Sequence, residues 1–139
     1  MEIFLDTNVV IDFFTNRVNS VYAEKIFEFC LWENNRGAIA DITLTNFDYI
    51  MRKTLSYQER QQDIEALLNT LEIIPAEDFL IRKALSYSMS DFEDAIQIAC
   101  ANSVIADVFI TNDEGDFTAF NGIVMKPSLF VETYIGKKK

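Results

Sequence analysis

The stretch Ile3-Phe4-Leu5-Asp6-Thr7-Asn8 decides the predicted fold. Three apolar residues precede an aspartate, a pattern that predicts a buried strand with a carboxylate at its carboxyl end. In open α/β sheets the ligand-binding crevice lies outside the carboxyl ends of the strands. Asp6 is therefore the first candidate site residue, and its role depends on whether later segments bring further acids to the same edge.

The composition is that of one acidic domain. The chain has 139 residues, of which half are hydrophobic, so we predict a single domain over residues 1–139. The formal net charge of −10 opposes broad adhesion to nucleic acid, and a polyanionic substrate would need metal ions or a local basic patch. No apolar run approaches a membrane span of roughly 20 residues. No basic signal precedes the first strand either, so we expect a cytoplasmic protein without a membrane partner.

The residue types restrict the chemistry. Histidine is absent, which excludes imidazole acid–base catalysis, histidine-containing triads and zinc sites that use histidine. Cys30 and Cys100 fall in helical patterns and are expected to be buried and reduced. The chain lacks a glycine-rich phosphate loop and a dinucleotide fingerprint, so a nucleotide cofactor is not expected.

Strand and helix patterns alternate along the chain. Strands are predicted up to Asp6 and at 38–40, 72–75, 108–110 and 123–125, and helices at 20–35, 43–55, 57–71, 78–86 and from Ser90 onward. Two helices are expected to start with a capping box, Ser56 with Glu59 and Ser90 with Glu93. This alternation predicts an α/β fold, a three-layer α/β/α sandwich with a mostly parallel central sheet.

The last long predicted helix directs one acid toward the protein. Asp94 shares a helix face with Ile98 and Ala101, so its side chain is expected to point inward. An unpaired carboxylate there would be costly, and a shared cation would relieve that cost. Asp91 and Glu93 have a simpler explanation, because acids in a first turn are favoured by the helix dipole alone.

A second group of acids follows the strand at 108–110. The loop Thr111-Asn112-Asp113-Glu114-Gly115-Asp116-Phe117 is rich in turn-forming residues, which explains its composition without any function. These acids nevertheless follow an apolar strand, as Asp6 does, so a parallel sheet would bring both groups to one edge. Clustered carboxylates repel unless a divalent cation lies among them, and oxygen ligands suit Mg²⁺ or Mn²⁺. This chemistry predicts phosphodiester hydrolysis by a metal-activated water.

Three blocks of the sequence together resemble the PIN-domain ribonucleases, in particular the branch that includes the VapC-type toxins of bacterial toxin–antitoxin pairs. The blocks are Leu5–Asp12, Asp91–Ala95 and Ile110–Phe117, and the resemblance runs from residue 3 to about residue 125. It implies a PIN-like α/β/α fold and an endoribonuclease whose acidic cluster binds Mg²⁺ or Mn²⁺ and cuts RNA. The resemblance also implies two partners, an antitoxin protein and a second copy of this chain in a homodimer. Neither partner can be inferred from the residues of this chain alone.

The resemblance carries over residue by residue. Asp6 matches the acid of the first strand and Asp94 the acid of the late helix, while either Asp113 or Asp116 matches the fourth acid. Asp113 is favoured because it is nearer the strand end. The predicted catalytic residues are therefore Asp6, Asp94, Asp113 and Asp116, and the predicted metal ligands are Asp6, Asp94 and Asp113. The predicted supporting residues are Thr7, Asn8, Asn46, Asp91, Thr111 and Asn112.

The sequence departs from the family pattern at Asn46, where a glutamate usually stands. An amide oxygen still coordinates a cation, but it brings no charge and takes no proton. Asp48 is not expected to substitute, because two residues along a helix turn a side chain by about 200°. One alternative function is therefore a catalytically weakened PIN-like module that binds RNA or protein. A further alternative, which does not depend on Asn46, is a phosphatase-like or receiver-like domain that uses Asp6 as nucleophile or phosphoacceptor.

Overall fold

A computed structural model describes residues 1–15, 17–113, 115 and 117–136. The strands are β1 (Glu2–Leu5), β2 (Arg36–Ala40), β3 (Glu72–Ile74), β4 (Val108–Ile110) and β5 (Ile123–Met125). The helices are α1 (Thr7–Phe13), α2 (Ser20–Cys30), α3 (Asp41–Met51), α4 (Tyr57–Thr70), α5 (Asp78–Ser86), α6 (Phe92–Ser103) and α7 (Pro127–Phe130). A π-helical turn, Val131–Ile135, follows α7.

The five strands form one sheet in the order β3-β2-β1-β4-β5, and every described pairing is parallel. β1 is central, and its last residue, Leu5, pairs with Ile110 at the end of β4. The backbone N–H of Asp6 continues this ladder by donating to the Ile110 carbonyl at 3.0 Å. The carboxyl ends of β1 and β4 therefore lie side by side, as the sequence predicted, and β5 is an edge strand.

Alternate residues of each strand pack on opposite faces of the sheet. On β1, Ile3 and Leu5 join one core, with apolar residues of α1, α2, α3 and α7, whereas Phe4 joins the other, with α5 and α6. The Phe4 ring stacks on Phe109 of β4, with ring centroids 5.7 Å apart. This arrangement is the predicted α/β/α sandwich around a parallel sheet. None of the described helices is both long enough and apolar enough to cross a membrane.

The predicted start of α6 is wrong. We expected a capping box between Ser90 and Glu93, but the N-cap is Asp91, whose carboxylate accepts a hydrogen bond from the Asp94 N–H at 3.0 Å. The other predicted box, Ser56 with Glu59, is present at the start of α4. The shift at α6 moves Glu93 out of its expected capping role, because its carboxylate no longer serves the backbone at Ser90.

The predicted ends of two other helices are also wrong. The helix predicted at 20–35 ends at Cys30, and Asn34 has a left-handed backbone with φ of 73°, which turns the chain into β2. The helix predicted at 43–55 spans Asp41–Met51, so β2 passes directly into α3. Cys30 and Cys100 are buried and free, as predicted.

Candidate active site

An open cavity of about 370 Å³ lies where the ends of β1 and β4 meet α3 and α6. It is lined by Asp6, Thr7, Asn8, Asn46, Tyr49, Ile50, Asp91, Glu93, Asp94 and Asp113. Five of these ten described residues are acidic and none is basic. We call this cavity the acidic cleft. It is a strongly negative environment with little protein charge to balance it.

Asp6 lies at the floor of the acidic cleft and is only 2% exposed. Its Oδ1 accepts a hydrogen bond from Gln97 Nε2 at 3.1 Å, and its Oδ2 accepts one from Thr111 Oγ1 at 2.6 Å. Burial raises the pKa of Asp6 above its ordinary value, the two hydrogen bonds lower it, and the nearby Asp113 carboxylate raises it further. The net rise means that the charged form of Asp6 is less favourable in the cleft than in water.

Gln97 is fully buried and fixes the position of Asp6. Its Oε1 accepts from the backbone N–H of Thr7 at 3.1 Å, which leaves Nε2 to donate to Asp6. The Thr7 hydroxyl lies 2.8 Å from the hydroxyl of Thr43, another fully buried polar residue. These bonds tie the junction of β1 and α1 to α3 and α6 beneath the acidic cleft.

Thr111 and Asn112 position the loop after β4. The Thr111 hydroxyl donates to Asp6 and accepts from the Asp113 N–H at 3.1 Å, so one side chain fixes two acids. Asn112 Nδ2 donates to Asp12 Oδ2 at 2.7 Å, outside the acidic cleft. Thr111 therefore contacts two of the predicted acids from behind the cleft wall, whereas Asn112 contacts Asp12, which does not line the cleft. Asp116, the alternative fourth acid, lies outside the described residues.

The N-terminus of α6 contributes a line of acids to the cleft. Asp91 caps the helix, and Asp94 is half-buried one turn further on. The pKa of Asp94 is raised to about 7, first by burial and then by the carboxylates of Asp6, Asp91, Asp113 and Glu93. These four carboxylates are thus close enough to oppose the ionisation of Asp94.

Asn46 faces the cleft from α3, and Asp48 does not. The Asp48 carboxylate accepts from Arg60 Nε at 2.8 Å and pairs with Arg52 at 3.4 Å, on the side of α3 that meets α4. Hydrogen bonding to Arg60 lowers the pKa of Asp48. As predicted, Asp48 cannot replace the carboxylate that Asn46 lacks.

Glu93 lines the acidic cleft together with Asn46 and Thr7 and is half-buried. Burial is the main cause that raises the pKa of Glu93, and the Asp91 and Asp6 charges add to it. The side chains of Thr7 and Asn46 lower the pKa of this carboxyl. α6 therefore turns two successive acids, Glu93 and Asp94, toward the same cavity.

The acidic cleft suits a divalent cation in its charge and in its donor atoms. Its candidate ligands are carboxylate, amide and hydroxyl oxygens, the set that Mg²⁺ and Mn²⁺ prefer. Within the described ranges, however, no three acidic or cysteine side chains are close enough together to bind one ion as a set. Ligation by several carboxylates would therefore require these side chains to move closer, which their mutual repulsion opposes without a cation.

Sequence reasoning missed three of the polar residues that build the site. Gln97 was detectable as a lone amide in an otherwise apolar stretch of α6, a pattern that calls for a buried hydrogen-bond partner. Thr43 gave no such signal, because threonine is common at the start of helices. Glu93 was interpreted as a helix-start residue, and only the true cap at Asp91 shows that its side chain faces the cleft.

Comparison with known proteins assigns the family. The family model described as PIN domain matches residues 2–115, a range that includes every acid of the acidic cleft. The chain belongs to the PIN domain family. The predicted resemblance to PIN domains, and among them to VapC-type toxins, is thereby confirmed.

Individual relatives agree with this assignment. Ribonuclease VapC1 of Aquifex aeolicus (strain VF5) is 25% identical over 123 residues, which cover 84% of this chain and 85% of the relative. A toxin–antitoxin complex from Klebsiella pneumoniae contains a chain of 27% identity and TM-score 0.69, with 89% of this PIN domain and 96% of that chain covered. VapBC-1 from nontypeable Haemophilus influenzae reaches a TM-score of 0.70 at 20% identity, covering 92% and 99% of the two chains, and supports the fold alone.

Proposed function

We propose that this PIN domain, over residues 1–139, is a metal-dependent endoribonuclease. The observation that carries the proposal is the convergence of Asp6, Asp94 and Asp113, from three separate segments, on one cleft. There burial raises the pKa of both Asp6 and Asp94, the Asp113 carboxylate raises that of Asp6 further, and Asp6 and Asp113 both raise that of Asp94 further. A cleft that concentrates negative charge in this way is suited to a divalent cation and, through it, to a phosphodiester. The similarity to a protein named as a ribonuclease supports the choice of RNA as substrate.

Asp6, Asp94 and Asp113 are the proposed ligands of Mg²⁺ or Mn²⁺. Such a cation, when bound, neutralises phosphate charge and lowers the pKa of water. Other residues of the chain position these proposed ligands. Gln97 and Thr111 hold the two oxygens of Asp6 in fixed directions, and Asp91 orders the first turn of α6 beneath Asp94.

The rim of the cleft offers contacts for an RNA strand. Tyr49 lines the cleft and is 72% exposed, and the guanidinium of Arg52 lies over its ring at 5.7 Å from the centroid. An exposed aromatic ring stacks on a nucleobase of any sequence, and a nearby cation favours the phosphate backbone. These rim residues offset the general repulsion that a net charge of −10 imposes on RNA.

The proposal is tested by cleavage of a labelled single-stranded RNA by the purified protein. We expect cleavage with Mn²⁺ or Mg²⁺ and no cleavage with EDTA. The cleavage rate should fall by at least about 100-fold in the Asp6→Asn and Asp94→Asn variants, since each removes a proposed ligand. Glu28→Gln, an exposed charge change on α2, is the matched control and should cleave as the native chain does. Cleavage in EDTA, or full activity in both ligand variants, would overturn the proposal.

We further propose that an antitoxin protein inhibits this nuclease and that the chain forms a homodimer. Support for the first comes from the similar structure described as a toxin–antitoxin complex from Klebsiella pneumoniae. Co-expression with the product of the neighbouring reading frame should yield a complex with reduced RNA cleavage. Light scattering on the isolated chain should give twice the 16.0 kDa of one copy. A monomer, or a neighbouring protein without effect on cleavage, would contradict these two proposals.

A second candidate function is a PIN-like module that binds RNA or protein without cleaving. The observation that favours it is Asn46, an uncharged side chain in the wall of the acidic cleft. If this deficit abolished catalysis, the native chain would bind RNA without cutting it, and Asn46→Glu would create activity. Cleavage by the native chain would exclude this candidate.

A further inference from the structure

A second groove shares helix α3 with the acidic cleft. It is an open groove of about 810 Å³ between α3 and α4, and its described lining includes Asp48, Arg52, Tyr57 and Gln61. We call it the α3–α4 groove. Tyr49, which lines the acidic cleft, connects the two, because the Arg52 guanidinium lies over its ring at 5.7 Å from the centroid. A strand that leaves the cleft across the end of α3 therefore reaches this groove.

Two exposed tyrosine rings are joined by a continuous chain of contacts. Arg52 lies over Tyr49, and Arg60 lies over Tyr57 at 5.8 Å from the centroid. The guanidinium groups of Arg52 and Arg60 both pair with the Asp48 carboxylate, at 3.4 Å and 2.8 Å. One acid on α3 thereby fixes two arginines, each beside a tyrosine ring. The two tyrosines are still 72% and 66% exposed, so each presents a large surface to a ligand.

The charge of the α3–α4 groove differs from that of the acidic cleft. Asp48 is paired with two arginines, so this cluster has an excess of one positive charge. Arg52 is the accessible member, because its side chain is 59% exposed and that of Arg60 only 12%. The other acid in the described lining, Glu65, lies about two turns beyond Tyr57 along α4. The end of the groove at Tyr57 is therefore compatible with a phosphate backbone.

We propose that the α3–α4 groove binds single-stranded RNA outside the cleavage site, with a nucleobase stacked on Tyr57 and a phosphate paired with Arg52. Stacking on an aromatic ring requires an accessible base face and accepts any base. Gln61 Nε2 donates to the Tyr57 hydroxyl at 2.9 Å, which helps to hold the ring. The guanidinium and amide groups around the ring favour a nucleic acid over an apolar protein segment. This inference rests on the proposed function, since it concerns the same RNA substrate.

Helix α5 provides matched controls, because it repeats the spacing of an aromatic residue and an arginine three positions later. Phe79 is 62% exposed and is followed by Arg82, as Tyr57 is followed by Arg60, but Arg82 pairs with Asp78 at 2.8 Å. α5 joins the core on the opposite face of the sheet from α4. Neither Phe79 nor Arg82 lines the acidic cleft or the α3–α4 groove.

The test is binding of a fluorescently labelled single-stranded RNA, followed by fluorescence anisotropy in EDTA, so that no cation supports cleavage. We expect Tyr57→Ala to raise Kd by at least about fivefold, since one base stack is lost, and Tyr57→Phe to lose much less. Arg52→Gln should weaken binding and reduce the slope of log Kd against log salt by about 0.7, the value for one phosphate contact on a single strand. Phe79→Ala and Arg82→Gln should bind as the native chain does. With the same strand in a duplex, whose bases are already stacked, Tyr57→Ala should have no effect.

The outcomes separate this inference from the proposed function. If Tyr57→Ala and Arg52→Gln bind RNA as tightly as the α5 controls, the inference is wrong, whatever the cleavage assay shows. If both bind weakly and the native chain cuts no RNA with Mn²⁺, the inference stands and the proposed nuclease activity fails. Circular dichroism verifies folding, and Arg52→Gln decides alone should Tyr57→Ala fail to fold.

Two further outcomes would overturn the inference. The first is a native chain that binds no single-stranded RNA in EDTA. The second is a pair of groove variants that bind RNA as the native chain does but no longer bind the product of the neighbouring reading frame. The α3–α4 groove would then be a docking surface for a protein.

Discussion

The buried amide of Gln97 donates to Oδ1 of Asp6 over 3.1 Å, which links the middle of α6 to the end of β1. The other end of the same amide accepts from the Thr7 N–H at 3.1 Å. One fully buried side chain thus satisfies a backbone donor and orients the central acid of the cleft. The orientation of Asp6 is a property of the packed core, and it exists before any ligand arrives.

Replacing Gln97 by leucine keeps its approximate volume and removes both hydrogen bonds. We expect the free energy of unfolding to fall by about 1–3 kcal/mol, because a buried donor and acceptor are left unpaired. RNA cleavage should fall as well, since Asp6 loses one of the two groups that orient it. Urea unfolding followed by circular dichroism measures the first effect. Gln58→Leu, on the exposed face of α4, should change neither quantity, and equal stability of the two variants would contradict the role of Gln97.

The raised pKa of Asp94 predicts a specific dependence of stability on pH in metal-free protein. The unfolded chain ionises this group near its ordinary value of 3.8, and the folded chain does so only near 7. Between these values the unfolded state releases the proton first, so stability falls as pH rises through this window. Asp94→Asn should flatten the decline and be the more stable protein at pH 8.

Thermal unfolding in EDTA across pH 4–8 measures this effect. Asp78→Asn, an exposed change on α5, should keep the native slope, because its surface ion pair with Arg82 contributes little. Addition of Mn²⁺ at pH 8 should reverse the ranking by stabilising the native chain more than Asp94→Asn. A native chain whose stability rises steadily from pH 4 to 7, with no difference in Asp94→Asn, would show that the acids of the cleft do not oppose one another.

Substitutions can show which of Asp113 and Asp116 is the fourth acid of the site. Asp113 lines the acidic cleft, and its N–H is bonded to the hydroxyl that also holds Asp6. We therefore expect Asp113→Asn to weaken Mn²⁺ binding and RNA cleavage more than Asp116→Asn. Calorimetric titration of both variants with Mn²⁺ provides the comparison. A larger loss in Asp116→Asn would reassign the fourth acid.

We predict that Asp48 stabilises the fold and does not bind the cation. Its pairing with Arg60 joins α3 to α4, and that contact lowers the pKa of Asp48. Asp48→Asn is expected to destabilise the protein at neutral pH, and the difference from the native chain should shrink as pH falls and Asp48 is protonated. Mn²⁺ affinity should stay native. Weaker Mn²⁺ binding by a folded Asp48→Asn protein would mean that this acid reaches the cleft after all.

The sequence was sufficient for the fold and for the acids that follow strands. Asp6 and Asp113 come directly after apolar runs, so a parallel sheet leaves them only one edge to occupy. Asp94 was predictable because its helix spacing to buried Ile98 fixes its direction. In each case a local pattern determined where the side chain points.

The helix-borne partners of these acids were harder to predict, because their roles depend on contacts between distant segments. Glu93 and Ser90 have the spacing of a capping box, and only the competing cap at Asp91 frees Glu93 for the cleft. Asn46 and Glu93 likewise line the same cleft although they are 47 positions apart in the sequence. One sequence gives no signal that links two such residues, whereas the fold brings both to the cleft.

The most direct test of the central claim is a crystal of the protein soaked in Mn²⁺, with the ion located by its anomalous scattering. We predict a peak in the acidic cleft within ligand distance of Asp6 and Asp94, about 2.0–2.6 Å from the carboxylate oxygens. A cleft without such a peak at saturating Mn²⁺, or a peak only at surface acids outside it, would contradict the account.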